Sequence, residues 1–301
     1  MKVEQPLHVS DSYAAMNKHL LLAALAAVIL GALSWVGLRA FRCKKAYTAA
    51  CALLTHPAPV TLTPAEEFQG QKLDLGYATL TLPTESIDSI KLYGEGWAVD
   101  TSFDAVRLLT IRPVQTDPGV FDEHFKQDGE SILHDADATF ARLDLIRKQP
   151  QADRLMIDLF RDYRWRVFAL NAQPRSFLDL LLSSGSDRAL YEIKLMASAN
   201  RFARLGVALL ETDATKAVIY LGEPKEPGVV YANVWSKNGK ISQAIKLSSE
   251  SWKTSQDAMH RILSTFRYAL DEVPEEEEVK KLVAATIREH EKYMPRTDEQ
   301  P

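Results

Sequence analysis

Apolar residues are distributed along the chain in three regimes. From Leu20 to Leu38 there are 19 consecutive residues without a charge. At 1.5 Å per residue a helix of that length reaches roughly 28 Å, close to the hydrocarbon thickness of a bilayer. Trp35 near its end, and Arg39, Arg42, Lys44 and Lys45 just beyond, suit the interface and headgroup levels. Residues 39–72 form a basic collar and then a stretch broken by Pro57, Pro59 and Pro64, which reads as a linker. A short helix from Lys44 to Leu54 extends the membrane stem in this reading. Residues 73–270 mix period-two and helical patterns and read as a globular domain, and 271–301 as a C-terminal acidic amphipathic helix and tail. Residues 1–19 are an N-terminal tail.

Within the globular region, Tyr77 to Leu82 alternates with period two until Pro83, the pattern of a strand with one buried face. Asp88 to Tyr93 and Trp97 to Asp100 are short strands around the turn Gly94-Glu95-Gly96, and Ala105 to Ile111 is a stronger one. Asp117 to Asp135 predicts a helix with Phe121, Phe125, Ile132 and Leu133 as its apolar stripe, weakened by Gly129. Residues 154–170 read as β-rich, Tyr163, Trp165 and Val167 on one face, Arg164 and Arg166 on the other. Ser176 and Asp187 cap two further helices, Phe177 to Leu182 and a run through Met196. Strands are expected at Leu205 to Leu210, Ala217 to Leu221, Val229 to Val234 and Ile241 to Leu247. The last two are joined by Lys237-Asn238-Gly239-Lys240, where Asn-Gly is a strong hairpin signal. Ser251 or Thr254 caps a helix with Ala258, Ile262, Leu263 and Phe266, and Pro274 stands near the start of a last helix from Glu275 to about Tyr293. The fold class is α+β: an antiparallel sheet covered by helices, α/β/α sandwich-like, behind an N-terminal transmembrane helix.

The order of an extended strand pair, a helical insert, antiparallel strands and a helix ending Ile262-Leu263-Ser264-Thr265-Phe266-Arg267-Tyr268 resembles the Mog1/PsbP-like fold. The resemblance covers about residues 72–268. It implies an α/β/α sandwich that acts by binding other proteins rather than by catalysis, and it transfers no functional residue. The larger insert around 174–200, the anchor and the extra C-terminal helix depart from it.

Charge and cysteine content narrow the function classes. The first 45 residues carry six Lys/Arg against two Asp/Glu. Of the chain's 36 basic and 40 acidic residues, 30 and 38 therefore fall in 46–301, net −8. An acidic domain is poorly suited to nucleic acid. The flank after the span holds four basic residues against Lys2 and Lys18 before it, which favours the large domain on the cytoplasmic side of a bacterial inner membrane crossed once. Thr48-Ala49-Ala50-Cys51 is only a degenerate lipoprotein cleavage box, and an uncleaved anchor is the reading. The spacing of Cys43 and Cys51 permits a disulfide without requiring one.

Candidate chemistry is sparse. No phosphate-cradling loop, nucleophile elbow, zinc-helix motif or Cys-x-x-Cys knuckle occurs. The best polar cluster is Asp122-Glu123-His124 with His134-Asp135-Ala136-Asp137. On one continuous helix the two histidines would lie about 15 Å apart along the axis, too far to share a metal. His124 and His134 are therefore the only catalytic candidates, as bases of a hydrolase, and no cofactor or metal site is expected. Arg161, Arg164 and Arg166 with Tyr163 and Trp165 have the look of an aromatic-basic surface, but their alternation puts Trp165 in a core. In the last helix, Glu277 and Glu278 are spaced to reach Lys281. Val279, Leu282, Val283 and Ile287 form a stripe that either packs on the domain or docks on an unknown protein partner. The expected function is a membrane-anchored, non-enzymatic protein-binding or assembly domain, with the membrane engaged by Leu20 to Leu38. A ligand-sensing domain and a hydrolase with a dispersed site are the alternatives.

Overall fold

The computed structural model describes residues 10–53, 59–93, 98–127, 130–131, 136–171, 206–223 and 226–292. The chain divides into two compact units, one holding the N-terminal helix and the other the sheets with their covering helices.

Helix α1 (Ser10–Leu53) is apolar around its whole circumference between Leu20 and Arg42, and none of that window is buried. One N-terminal helix is thus long and apolar enough to cross a membrane. The Arg39 guanidinium lies 5.4 Å from the Trp35 ring centroid, pairing the aromatic and basic residues expected at an interface. The helix continues eleven residues past Arg42, so the stem extension is present. Cys43 and Cys51 are eight residues apart on this helix, which separates their Cα atoms by about 12 Å, roughly twice a disulfide's span.

The second unit is mixed α+β. Its strands are β1 (Val60–Leu62), β2 (Gln71–Asp74), β3 (Ala78–Leu82), β4 (Ser89–Tyr93), β5 (Ala98–Phe103), β6 (Val106–Ile111) and β7 (Val114–Gln115) in the first half. The second half supplies β10 (Val207–Glu211), β11 (Thr215–Glu223), β12 (Glu226–Ser236), β13 (Ile241–Ser248) and β14 (Arg267–Tyr268), after the short pair β8 (Lys126–Gln127) and β9 (Glu130–Ser131). The large sheet runs β1-β10-β11-β12-β13-β6-β5-β4, with β7 also paired to β13, and only β1–β10 is parallel. A three-stranded antiparallel sheet, β14-β3-β2, is separate from it.

Alternation explains which side chains go where. In β11, Ala217 and Ile219 enter one core while Val218 and Tyr220 enter another, so a near-continuous apolar run is buried on both faces. The first core joins that face of the large sheet to Leu73, Leu75, Leu80 and Leu82 of the small one and to α6 (Trp252–Thr265) and α7 (Glu276–Glu291). On the opposite face Val207, Val218, Tyr220 and Trp235 meet Tyr163 and Leu170 of α5 (Tyr163–Asn171). A third cluster lies within α2 (Pro118–Phe125), α3 (Ala136–Arg147), α4 (Ala152–Arg161) and α5, around Trp165. The β12–β13 turn forms as expected, with Gly239 at φ +75° and its N–H donating to the Ser236 carbonyl at 2.9 Å.

Three expectations are corrected. The helix expected over 117–135 stops at Phe125. Asp117 caps it, accepting from the Gly119 N–H at 2.8 Å, but 126–131 offer no apolar face, and Lys126 and Gln127 pair antiparallel with Ser131 and Glu130. The region expected to be β-rich, 154–170, is helical as α4 and α5. Leu155, Met156, Leu159 and Phe160 recur at helical spacing and pack together. The segment expected to be a linker contains β1 and β2 and is bound to the domain between them. His260 Nε2 donates to the Thr63 carbonyl at 2.8 Å, the Ala65 N–H donates to Ser264 Oγ at 2.8 Å, and Arg261 lies 5.9 Å from the Phe68 ring centroid. The expected helices at 177–196 and the turn at 94–96 lie outside the described residues.

Tyr77 and Tyr268 form a polar seam in the first core. Gln243 Nε2 donates to the Tyr77 hydroxyl at 2.9 Å, and Tyr268 donates to the Val234 carbonyl at 3.2 Å. Burial pushes the Tyr77 phenol up to about 12 and raises that of Tyr268 well above its usual 10. A phenol whose folded value lies above its unfolded one adds stability that is whole below pH 10 and lost as pH rises toward the folded value. For Tyr77 alone the loss is about 2 kcal/mol between pH 10 and 12. Alkaline unfolding should begin above pH 10, with part of the tyrosinate absorbance appearing only as structure is lost. Complete tyrosine titration near pH 10 with the fold intact would contradict this.

Candidate functional site

Strand β2 reads Gln71-Lys72-Leu73-Asp74 and continues into Leu75-Gly76. Leu73 and Leu75 are fully buried, whereas Lys72 and Asp74 are exposed. Backbone hydrogen bonding alternates with the same period. The N–H groups of Gln71 and Leu75 donate to the carbonyls of Thr84 and Ala78, both at 2.8 Å, so the odd-numbered residues spend their polar groups on β3. The N–H and C=O of Lys72 and Asp74 point the other way, and β2 is the edge of its sheet.

Helix α7 stands opposite that edge. Glu275 to Glu278 enrich its start in acid, which complements the helix dipole. Lys280 pairs with Glu276 and Glu277 at 3.1 Å each, so the intrahelical pairing runs one residue earlier than the expected Lys281 pairs. Arg112 bridges to Glu276 at 2.8 Å and ties the helix start to the large sheet. Val279 and Val283 are 0% exposed in the first core, and Ile287 packs against it. These three side chains are spent on internal packing. Leu282 is the member of the stripe that reaches elsewhere, toward Gly76.

Gly76 has φ +80°, and a Cβ there would stand 2.7 Å from the Leu282 Cβ. Its N–H donates to Asp74 Oδ1 at 2.7 Å, which fixes the turn out of β2. The close approach pins α7 to one end of β2, and from that point the two elements line a cleft of about 470 Å³. Its walls are Gln71, Lys72 and Asp74 on the strand and Leu282, Ala285, Thr286, Glu289 and His290 on the helix. The cleft joins a bare strand edge, a small apolar floor and two carboxylates against one ammonium.

The residues singled out from sequence are placed differently. His124 is 6% exposed in α2, and its carbonyl accepts from Arg142 Nε at 2.7 Å. His134 lies outside the described residues. No group of three or more His, Cys, Asp or Glu able to hold a metal occurs among the described residues. Trp165 is in a core, as its neighbours suggest, but Arg164 does not face outward from a strand. Its guanidinium meets Asp122 at 2.5 Å, Asp162 at 3.0 Å and the Pro118 carbonyl at 2.9 Å, over the Phe121 ring. Arg166 donates to the Phe160 carbonyl at 3.2 Å, and the Arg161 carbonyl accepts from Trp235 Nε1 at 2.7 Å. The aromatic-basic stretch therefore holds helices to each other and to the sheet. Lys72, Asp74, Glu289 and His290 were not among the sequence candidates, although the Lys72-Leu73-Asp74-Leu75 alternation marks an edge strand. Comparison with protein-family models, with curated proteins and with solved structures yields no match.

Proposed function

We propose that the chain is a single-pass membrane protein whose α+β domain binds another protein and holds it beside the bilayer. The observation that carries the reading is the Leu20–Arg42 window, apolar on every side and with none of it buried. A helix with that composition and none of its window buried is at home in lipid rather than in water. The net charge of −8 over 46–301 weighs against nucleic acid as the partner. The Mog1/PsbP-like resemblance belongs to the same proposal and weighs toward binding rather than catalysis. The location is a bacterial inner membrane, with the large domain on the cytoplasmic side by the Lys/Arg count.

Fractionation tests the anchor. The full chain should resist carbonate extraction, and Ile29→Arg, which places a charge near the middle of the window at a cost of about 3 kcal/mol, should shift it into the extractable pool. Release of the unaltered chain by carbonate would remove the membrane reading. Protease added to intact spheroplasts should spare the domain until lysis, and digestion before lysis would reverse its assigned side. For the partner, a photo-crosslinker at Ala285 in native membranes should yield a discrete adduct that one at exposed Leu145 does not.

A further inference from the structure

We propose that the cleft between β2 and α7 takes an extended peptide segment as an added strand, with basic and apolar side chains alternating along it. The inference rests on the reading that the domain binds proteins, and it specifies the site, the binding mode and the chemistry of the partner.

Hydrogen-bonding capacity is the first ground. The Lys72 and Asp74 backbones offer two donors and two acceptors one two-residue repeat apart, roughly 7 Å, which is the spacing an extended strand presents. Among the described residues no strand pairs with that side of β2, and Lys72 and Asp74 are exposed. Edge strands are commonly blunted by a covering element or by brevity. At the other edge of this sheet β14 is only two residues long, while α7 stands off from β2 by the width of the cleft.

Shape is the second ground. Gly76 and Leu282 fix one end of the cleft, so its width is set before any ligand arrives. An added strand on the Lys72–Asp74 edge directs every second side chain toward one face. On the helix side those side chains meet Leu282 and Ala285, an apolar floor, and then Thr286 and Glu289.

Charge decides the rest. The lining holds two carboxylates, Asp74 and Glu289, against the one ammonium of Lys72, and the domain as a whole is acidic. Asp74 already uses one oxygen on Gly76, which leaves Glu289 as the freer carboxylate. A basic side chain two residues from an apolar one places a cation at Glu289 while the apolar group covers Leu282. An acidic peptide would meet repulsion at the same position.

The test uses the full chain in detergent micelles and a phage-displayed library of random dodecapeptides. Selected peptides should alternate basic and apolar residues. Their synthetic forms should protect the Lys72 and Asp74 amides from hydrogen exchange. Lys72→Pro removes a donor that faces the cleft, not β3, and should weaken binding about tenfold or more, whereas Lys72→Ala, which keeps the backbone donor and removes the one ammonium of the lining, should bind the basic peptides at least as well as the unaltered chain does. Ala285→Arg should block the cleft from the helix side. N-methylation of alternate peptide amides should abolish binding to the unaltered chain, an arm that needs no protein variant to fold. Failure to enrich any sequence overturns the proposal. So does equal affinity of selected peptides for the unaltered chain, Lys72→Pro and Ala285→Arg, which would leave protein binding in place but move it off this edge. Loss of the adduct at position 285 together with failed selection would remove both readings.

Discussion

Gly228→Ala should destabilise the second unit by about 3–5 kcal/mol, the largest effect expected of so small a change. Gly228 has φ +88°, a conformation that costs an L-residue roughly 1–2 kcal/mol on its own. The larger part is steric. A Cβ there would stand 1.9 Å from the Ser249 carbonyl oxygen, and backbone cannot yield as a side-chain tip does. Relief requires β12 and β13 to separate at their open end. That sacrifices the Ser249 N–H bond to the Gly228 carbonyl at 2.9 Å and the Ser255 hydroxyl bond to the same oxygen at 2.6 Å. Ser255 is fully buried at the start of α6, and its hydroxyl would keep only the 2.9 Å contact with the Ser249 hydroxyl, a loss of about 1 kcal/mol. Urea unfolding of the variant is the measurement. A midpoint within error of the unaltered chain's would show that the turn reaches another geometry at little cost.

Trp165→Ala should cost about 3–5 kcal/mol as well, but in one layer of the molecule. Trp165 is 1% exposed and lies 5.3 Å, ring centroid to centroid, from both Phe125 and Phe168. Among the described residues its cluster has six buried members, so removing the largest leaves little to hold α2 to α5 together. The sheet's first core contains none of them. Hydrogen exchange should therefore rise across α2–α5 while β12 and β13 keep their protection. Uniform loss across both would mean that the two cores unfold as one unit.

The contrast between those two positions also explains which parts of the fold are legible in the sequence. Ala78, Leu80 and Leu82 alternate because one face of β3 is buried, and the pattern is local. The Lys237–Lys240 turn carries its own Asn-Gly signature. Helix α5 has no single stripe to read, since Trp165 and Phe168 face the helical cluster while Tyr163 and Leu170 face the sheet. An element buried on two sides loses its helical periodicity, and the chance alternation of Tyr163, Trp165 and Val167 imitates a strand. Strand β1 has no local signal at all: Val60, Thr61 and Leu62 lie between prolines and are strand because Ala208, Leu209 and Leu210 lie alongside. The candidate site was half legible. The Lys72 to Leu75 alternation is in the sequence, but its edge position and the facing helix arise from residues about two hundred positions later.

The strand and hydrogen bonds that hold residues 59–70 to the domain give this segment two lengths. Tension along the chain from Leu53 is borne first by the three β1–β10 pairs, then by the bonds from Thr63 and Ala65 to α6. While they hold, the chain from 59 onward is part of the domain. If they give way, the dozen residues 59–70 can extend to at most roughly 40 Å, with β2 and the core behind it still intact. The pairs and bonds of this segment thus store chain length ahead of the core.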